Sequence, residues 1–511
     1  MAINPYGGYG LPRQVSYLTN LRTQMEDLGR QLGTNLKSDT YGGLGSERVL
    51  DLSLKQQLSE LGVYKQTIQI ANLRLDTLDK TSERLEAIRS EGKQAADRNN
   101  FELFGNGRTS SQSAAEISLR EFMAHLNTDV GGRYLFSGKS ADTLPVQSLD
   151  YILAGDGNYA GLKTVIDEYN QADLGPLDNG RMTTSRTGSQ VTLAEDGTHP
   201  FGFKIDSIAS GASNVTVSQT AGPPASLDVD FTGQPEPGQA IRVFLTLPDG
   251  SQSELTLGVA GGEDDPDITF QRGATPDDTA QFFKDALDTA LSVAAGSELK
   301  AASSIRAGEA FFDTAPKSPV PPGYQPMARV VPSAGPPVDF STATSLRDGT
   351  GDTVSWYTGD NSTGDPRKDS YARVDENLSV NYGARANEDG YRTVVQSLAV
   401  LVAADFSAGQ PQNDKFYQEM AQRVNDGLTP PGAEASGIRQ NHMEFASVQR
   451  TVKDTEGRHR VAEGTAKAMI DGIEGINKEE VSMQLLTLRN TLEISYQATS
   501  ITLNMSLSKY L

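Results

Sequence analysis

Apolar residues recur in steps of three and four at both ends of the chain. Leu18, Leu21, Met25, Leu28, Leu32 and Leu36 draw one stripe along a helix near the N-terminus. The glycine-rich run SDTYGGLGSER (38–48) interrupts it, and a second stripe follows through Leu61, Tyr64, Ile68, Ala71, Leu75, Leu78 and Leu85, spaced as in a coiled coil. This pattern predicts a helix to about Phe104, a break at GNGR (105–108) and a further helix within SAAEISLREFMAHL (113–126), so that the N-terminal arm forms a long helical hairpin. At the other end, Val481, Leu485, Leu488, Leu492, Tyr496, Thr499, Leu503, Leu507 and Tyr510 form a single stripe. Its steps lie closer to an 11-residue repeat than to a heptad, which predicts little or slightly right-handed supercoiling. A helix over roughly 438–476, carrying the charged run KDTEGRHR, is expected as its antiparallel partner.

Between these arms the period changes from helical to alternating. NVTVSQT (214–220), LDVDF (227–231) and AIRVFLTL (240–247) read as strands, and Pro248-Asp249-Gly250 followed by SELTLG reads as the turn and second strand of a hairpin. Residues 277–296 predict an amphipathic helix with Asp277 or Asp278 as N-cap and Gly296 beyond its end. Proline placement marks the same division. Of 24 prolines, two are Pro5 and Pro12, and the other 22 fall between Pro145 and Pro431, which leaves residues 13–144 and 432–511 free of a residue that breaks interior helix. The expected organisation is α+β and multidomain. It comprises a helical arm over 1–140, a central β-rich domain over 141–385, with room for two subdomains, and a helical arm over 386–511, the terminal helices forming a coiled-coil bundle.

Composition narrows the function. The formal charge of −21 offers no basic surface for phosphates, so no nucleic-acid partner is expected. No run of 18 apolar residues is present, so no membrane insertion is expected, and the N-terminus lacks the basic and apolar regions of a cleaved signal peptide. Cysteine is absent, which removes disulfides and thiol chemistry. His125, His199, His442 and His459 stand in no metal-binding spacing, and neither a Gly-x-Ser-x-Gly elbow nor a phosphate-binding glycine loop occurs. The acidic run GEDDPD (262–267) lacks the glycine and terminal glutamate of a calcium loop. No cofactor, metal or catalytic residue is therefore expected. Trp356, in TVSWYTGD, is expected in the core rather than as a stacking platform for a ligand.

Three segments carry a resemblance. VGGRYLFSGKSADTLPV (130–146), with Gly132, Arg133, Tyr134, Leu135, Phe136, Ser137 and Gly138 at its centre, resembles the element by which flagellin-superfamily proteins leave their N-terminal helices. LEISYQATSITLNMSLSKYL (492–511) resembles the ending of the hook-filament junction family, hook-associated protein 3, and ENLSVNYGARANEDGYRTVVQSLAVL (376–401) is similar to its return from the central domain. The resemblance implies a structural subunit of the bacterial flagellum joining hook-associated protein 1 to flagellin, extracellular, and exported by the type III route with an export chaperone. It also implies self-assembly through the terminal helices into a ring of about eleven subunits. The residues expected at that interface are Leu18, Leu21, Met25, Leu28, Leu32, Leu61, Ile68, Leu75, Leu78, Val481, Leu485, Leu488, Leu492, Tyr496, Leu503 and Leu507, with Leu485, Leu488, Leu492 and Leu503 forming the inner seam and Leu18, Leu21, Met25 and Leu28 opposite. A flagellin filament subunit, and a secreted adhesin or glycan-binding protein with helical stalks, remain as alternatives.

Overall fold

The proline-free stretches 13–144 and 432–511 carry the long helices. The computed structural model describes residues 10–105, 107–262, 268–333, 335, 337–407, 412–430, 432 and 436–507, with side chains described at 13 and from 15 to 501 within those ranges. In chain order the elements are α1 (Gly10–Thr34), α2 (Arg48–Ala95), α3 (Ser110–Leu126), α4 (Leu149–Ala154) and α5 (Leu162–Leu174). Eight strands follow: β1 (Met182–Thr187), β2 (Gln190–Glu195), β3 (Lys204–Ser210), β4 (Val215–Thr220), β5 (Ser226–Phe231), β6 (Ala240–Thr246), β7 (Gln252–Val259) and β8 (Ile268–Phe270). The chain then runs through α6 (Pro276–Ala294), α7 (Lys300–Phe312), β9 (Arg329–Val330), β10 (Leu346–Arg347), β11 (Tyr371–Asp375) and β12 (Leu378–Asn381). It ends with α8 (Asp389–Ala403), α9 (Asn413–Gly427), α10 (Gly437–Glu474) and α11 (Lys478–Leu507). The fold is thus mixed α+β with small sheets.

Packing defines two compact units. One holds the described residues up to Ala71, Arg373–Ser379 and those from Arg450 onward; the other holds Asn72–Ala372 and Val380–Gln449. Segment boundaries drawn at 140/141 and 385/386 follow proline and glycine punctuation, whereas these divisions fall inside the continuous helices α2 and α10.

The second unit contains two four-stranded sheets, ordered β1-β2-β5-β4 and β3-β6-β7-β8. The expected hairpin is present as β6 and β7, paired from Ala240–Gly258 to Thr246–Gln252, with Gly250 at φ 82° in its turn. Alternate residues Ile241, Val243 and Leu245 of β6 and Leu227, Val229 and Phe231 of β5 are buried with Phe283, Leu287 and Leu291 of α6, which packs on strands of both sheets. Thr275 caps α6, in place of the expected Asp277 or Asp278. Its hydroxyl accepts from the Asp278 amide while the Asp278 carboxylate accepts from the Thr275 amide, a capping box in which the aspartate is the third helical residue. Gly296 does not end the helix, because a π turn over Ala295–Leu299 carries the chain on into α7.

The middle of the chain is more helical than its alternating pattern suggests. α5, α7, α8 and α9 pack together, with α3 against α8. Gln112 ties that last pair, donating to the carbonyls of Leu401 (3.1 Å) and Ala404 (2.7 Å) at the end of α8. α2 stops at Ala95 rather than near Phe104: Asp97 Oδ1 accepts from the Asn99 amide in a side-chain turn, and Leu103 bridges Thr109, the cap of α3. Residues 263–267, most of the acidic run, lie outside the described residues.

Phe283 is fully buried and touches Phe231 and Phe270 at ring-centroid distances of 5.4 and 5.2 Å. Phe283→Ala is expected to lower the stability of this unit by about 3–5 kcal/mol, read as a lower midpoint in denaturant unfolding.

Candidate assembly surface

The segment Gly132–Gly138 turns the chain out of α3. Gly131, Gly132 and Gly138 have φ of 64°, 76° and 63°, a region costly for residues with a Cβ. The Gly132 amide donates to Asp129 (3.0 Å), and the Tyr134 amide donates to the Ala141 carbonyl (2.7 Å). Phe136 is fully buried edge-on to Tyr391 of α8, at 5.4 Å. This segment is hydrogen-bonded directly to the return segment. Gly138 donates to Ala384 (3.1 Å), Ala386 donates to Phe136 (2.9 Å), and Ser137 bridges Arg385. Arg385 is itself buried, with Nε 2.5 Å from Asp369 Oδ2 and Nη2 3.1 Å from Asp360 Oδ2. A side chain at position 138 would press on Asp360, Asp369 and Arg385, so glycine is required there for space as well as for conformation.

In the first unit the helices pair across the two chain ends. α1 packs on α11, and a bridge between Leu36 and Gly475 sets the end of one beside the start of the other, so they run antiparallel. Leu21, Val481 and Leu492 are buried; Leu18, Met25, Leu28, Leu32, Leu485 and Leu488 are half-buried. The expected partner of the C-terminal helix, α10, instead lies against α2. Leu44 and Leu54 cluster with Ala466, Ile470 and Ile473, and Lys65 meets Glu463 at 3.6 Å. The N-terminal helices therefore pair with C-terminal ones rather than folding into a hairpin on themselves. At the joint, the Lys37 amide donates to the Glu474 carbonyl (2.7 Å), and Lys55 links buried Asp51 (3.2 Å) to Glu474 beneath the Tyr41 ring.

The seam of α11 runs through Val481, Leu485, Leu488, Leu492, Ser495 and Thr499, all buried or half-buried. These steps of 4, 3, 4, 3 and 4 are heptad steps, and they displace Tyr496, which is 57% exposed. Hydrophobicity favoured tyrosine in the sequence pattern; spacing places serine in the seam. Leu61 is half-buried on α2, and Ile68, Leu75 and Leu78 are buried. The side chains of Leu503 and Leu507 lie outside the described residues.

A second stripe on α11 was missed in the sequence. Met483, Leu486, Ile494 and Ile501 are 56–69% exposed, and at about 100° per residue they centre about 180° from the seam. The positions between them, Asn490 and Gln497, carry no charge. α2 repeats the arrangement with exposed Leu52, Val63 and Ile70 opposite its buried face, separated by Gln56, Ser59, Gln66 and Thr67. α1 does not: opposite its seam stand Ser16, Thr19, Thr23, Asp27, Arg30 and Thr34. The signal that identifies such a helix in a sequence is apolar periodicity in two registers at once.

Trp356 is fully buried and donates to the Phe312 carbonyl at 3.1 Å, which places it in the core and not on a ligand-stacking surface. No helix among the described residues is long and apolar enough to cross a membrane. No protein-family model matches the chain, and no curated protein matches it either.

Replacing Arg385 by Met is expected to strand the carboxylates of Asp360 and Asp369 and to cost about 3–5 kcal/mol, measured by chemical denaturation. Restoring neutrality with Asp369→Asn in the same chain is expected to recover part of that loss.

Proposed function

We propose that this chain is a structural subunit of the bacterial flagellum, of the hook-filament junction type, and not an enzyme. The observation that carries the reading is the two-faced α11: one apolar face is spent on α1, and the opposite face stands uncharged and exposed. Exposed apolar stripes of this length mark association surfaces. Support also comes from the hydrogen-bonded meeting of Phe136–Gly138 with Ala384–Ala386, which lie in two of the three segments that carry the resemblance to this family.

In this reading the terminal helices form a coiled-coil bundle on the inside of a tubular ring of about eleven subunits. The central sheets and helices face outward. The outward stripe of α11 and that of α2 pack on neighbouring copies, and the ring joins hook-associated protein 1 below to flagellin above. The chain leaves the cell by type III export, and an export chaperone shields α11 on the way, holding an amphipathic helix in a groove. A flagellin filament subunit would use the same surfaces and differs in copy number.

Deletion of the encoding gene tests the reading in cells. Hooks without filaments, with flagellin shed into the medium, are the expected result; intact filaments and normal swimming would sink it. The surface is tested separately by Ile494→Lys. Because Ile494 is exposed in the single chain, its stability should change by no more than about 0.5 kcal/mol, while complementation of the deletion should fail. Full motility with this variant would remove α11's outward face from the assembly.

A further inference from the structure

We propose that Asp79, Glu83 and His442 form a binding site for a divalent transition-metal ion of the zinc type, linking α2 to α10. Asp79 and Glu83 are one turn apart on the same face of α2, and His442 approaches from α10, 363 residues further along the chain. One ligand atom from each lies within 4.8 Å of the other two, and His442 Nε2 is 2.7 Å from Asp79 Oδ1. No metal-binding spacing is visible in the sequence because the histidine and the carboxylates come from different arms.

The charge pattern around the three residues points to a cation. Asp76, Asp79, Glu83 and Glu86 follow one another along this side of α2. Asp76 accepts from Gln449, and Glu86 is held by Arg89, Ser436 and Arg439. The Glu83 carboxylate has no hydrogen bond or ion pair among the described residues, its backbone being part of α2. The adjacent Arg84 is engaged by Glu91 and Glu121, so it does not neutralise the pair. Two carboxylates held this close repel unless a positive charge stands between them, and in a chain of net charge −21 a bound cation relieves that repulsion.

The donor set selects among cations. Calcium and magnesium prefer oxygen alone, whereas an imidazole nitrogen with two carboxylates suits zinc and its neighbours. Bonds of about 2.0–2.2 Å bring tetrahedral donors to about 3.3 Å apart, and the exposed Glu83 carboxylate is free to close that gap by rotating. Asp79 and His442 are about one-third and one-quarter exposed, which leaves the remaining coordination position open to water. Because the ligands come from two helices, the ion acts as a cross-link that stabilises their pairing. The inference stands apart from the assembly reading and does not depend on it.

The test uses the metal-free full-length chain, titrated with zinc chloride by calorimetry and followed by thermal unfolding, with magnesium chloride alongside. The expected result is one saturable zinc site per chain, a rise in Tm with zinc and none with magnesium. His442→Asn should abolish both effects, and Glu83→Gln should weaken binding by at least about tenfold. Glu83 is on the surface, so its substitution leaves the fold intact and a loss there reports on binding. His125→Ala on α3 should bind zinc as the parent does. Absence of saturable binding, or equal affinity in the Glu83 and His442 variants, would overturn the proposal; the second outcome would place zinc elsewhere on the chain.

Discussion

Arg385 lies buried with its guanidinium spread over Asp360, Asp369 and Ser362, and a buried charge is tolerated only where its partners are fixed. Those partners come from the loop before β11, and the backbone on either side of Arg385 bonds to Phe136 and Gly138. The exit from α3 and the entry into α8 are thereby brought together after nearly half the chain has intervened. Once they meet, α3 can lie on α8, with Gln112 reaching the carbonyls at the end of α8, and the helices that continue toward the two termini begin from neighbouring points. A glycine at position 138 is the least replaceable part of this clasp, because both φ and space require it.

The order of pairing follows from that geometry. α3 finds α8, α2 finds α10, and α1 finds α11, so each N-terminal helix is matched by a C-terminal one in reverse order. A polypeptide arranged this way must bring distant segments together, and the closure entropy is large. Within the second unit the clasp around Arg385 supplies that closure for α3 and α8. The joint at Leu36, Lys37, Gly475 and Glu474 repeats the device further out, with backbone bonds between the arms and Lys55 bridging two carboxylates.

Long periodic helices and the β6–β7 hairpin were legible in the sequence, because their residues answer to one local rule each. The helix boundaries were less so: Thr275 displaces the aspartates as the cap of α6, and Asp97 ends α2 early through a turn that competes with helix. α5 and α7, which hold one glycine and no proline between them, were missed because the strand-like runs and the glycine and proline turns elsewhere dominate the pattern in the middle of the chain. Partner choice was legible in part: the two terminal stripes were expected opposite one another, and α1 does pack on α11, whereas the partners of α2, α3 and α10 were not legible. Hydrophobic stripes say that a helix needs a partner and leave open which one, so a local hairpin was the economical expectation, and tertiary closure overrode it. The same limit hid the approach of His442 to Asp79 and Glu83.

The α1–α11 pair sets the final step. Among the described residues of its seam, only Leu21, Val481 and Leu492 are buried, and the other described leucines stay half-exposed. Two helices in contact leave most of each cylinder in water, and a helix draws its stability mainly from the faces it buries. α1 has one apolar face and is served by this contact, but α11 has two and is served on one side only. At ~25 cal/mol per Å² the uncovered side represents stabilisation that the single chain cannot collect. On the proposed assembly, folding of this pair and occupation of the outer face form one coupled equilibrium: a partner that covers Met483, Leu486, Ile494 and Ile501 also tightens Val481 to Leu492 against α1.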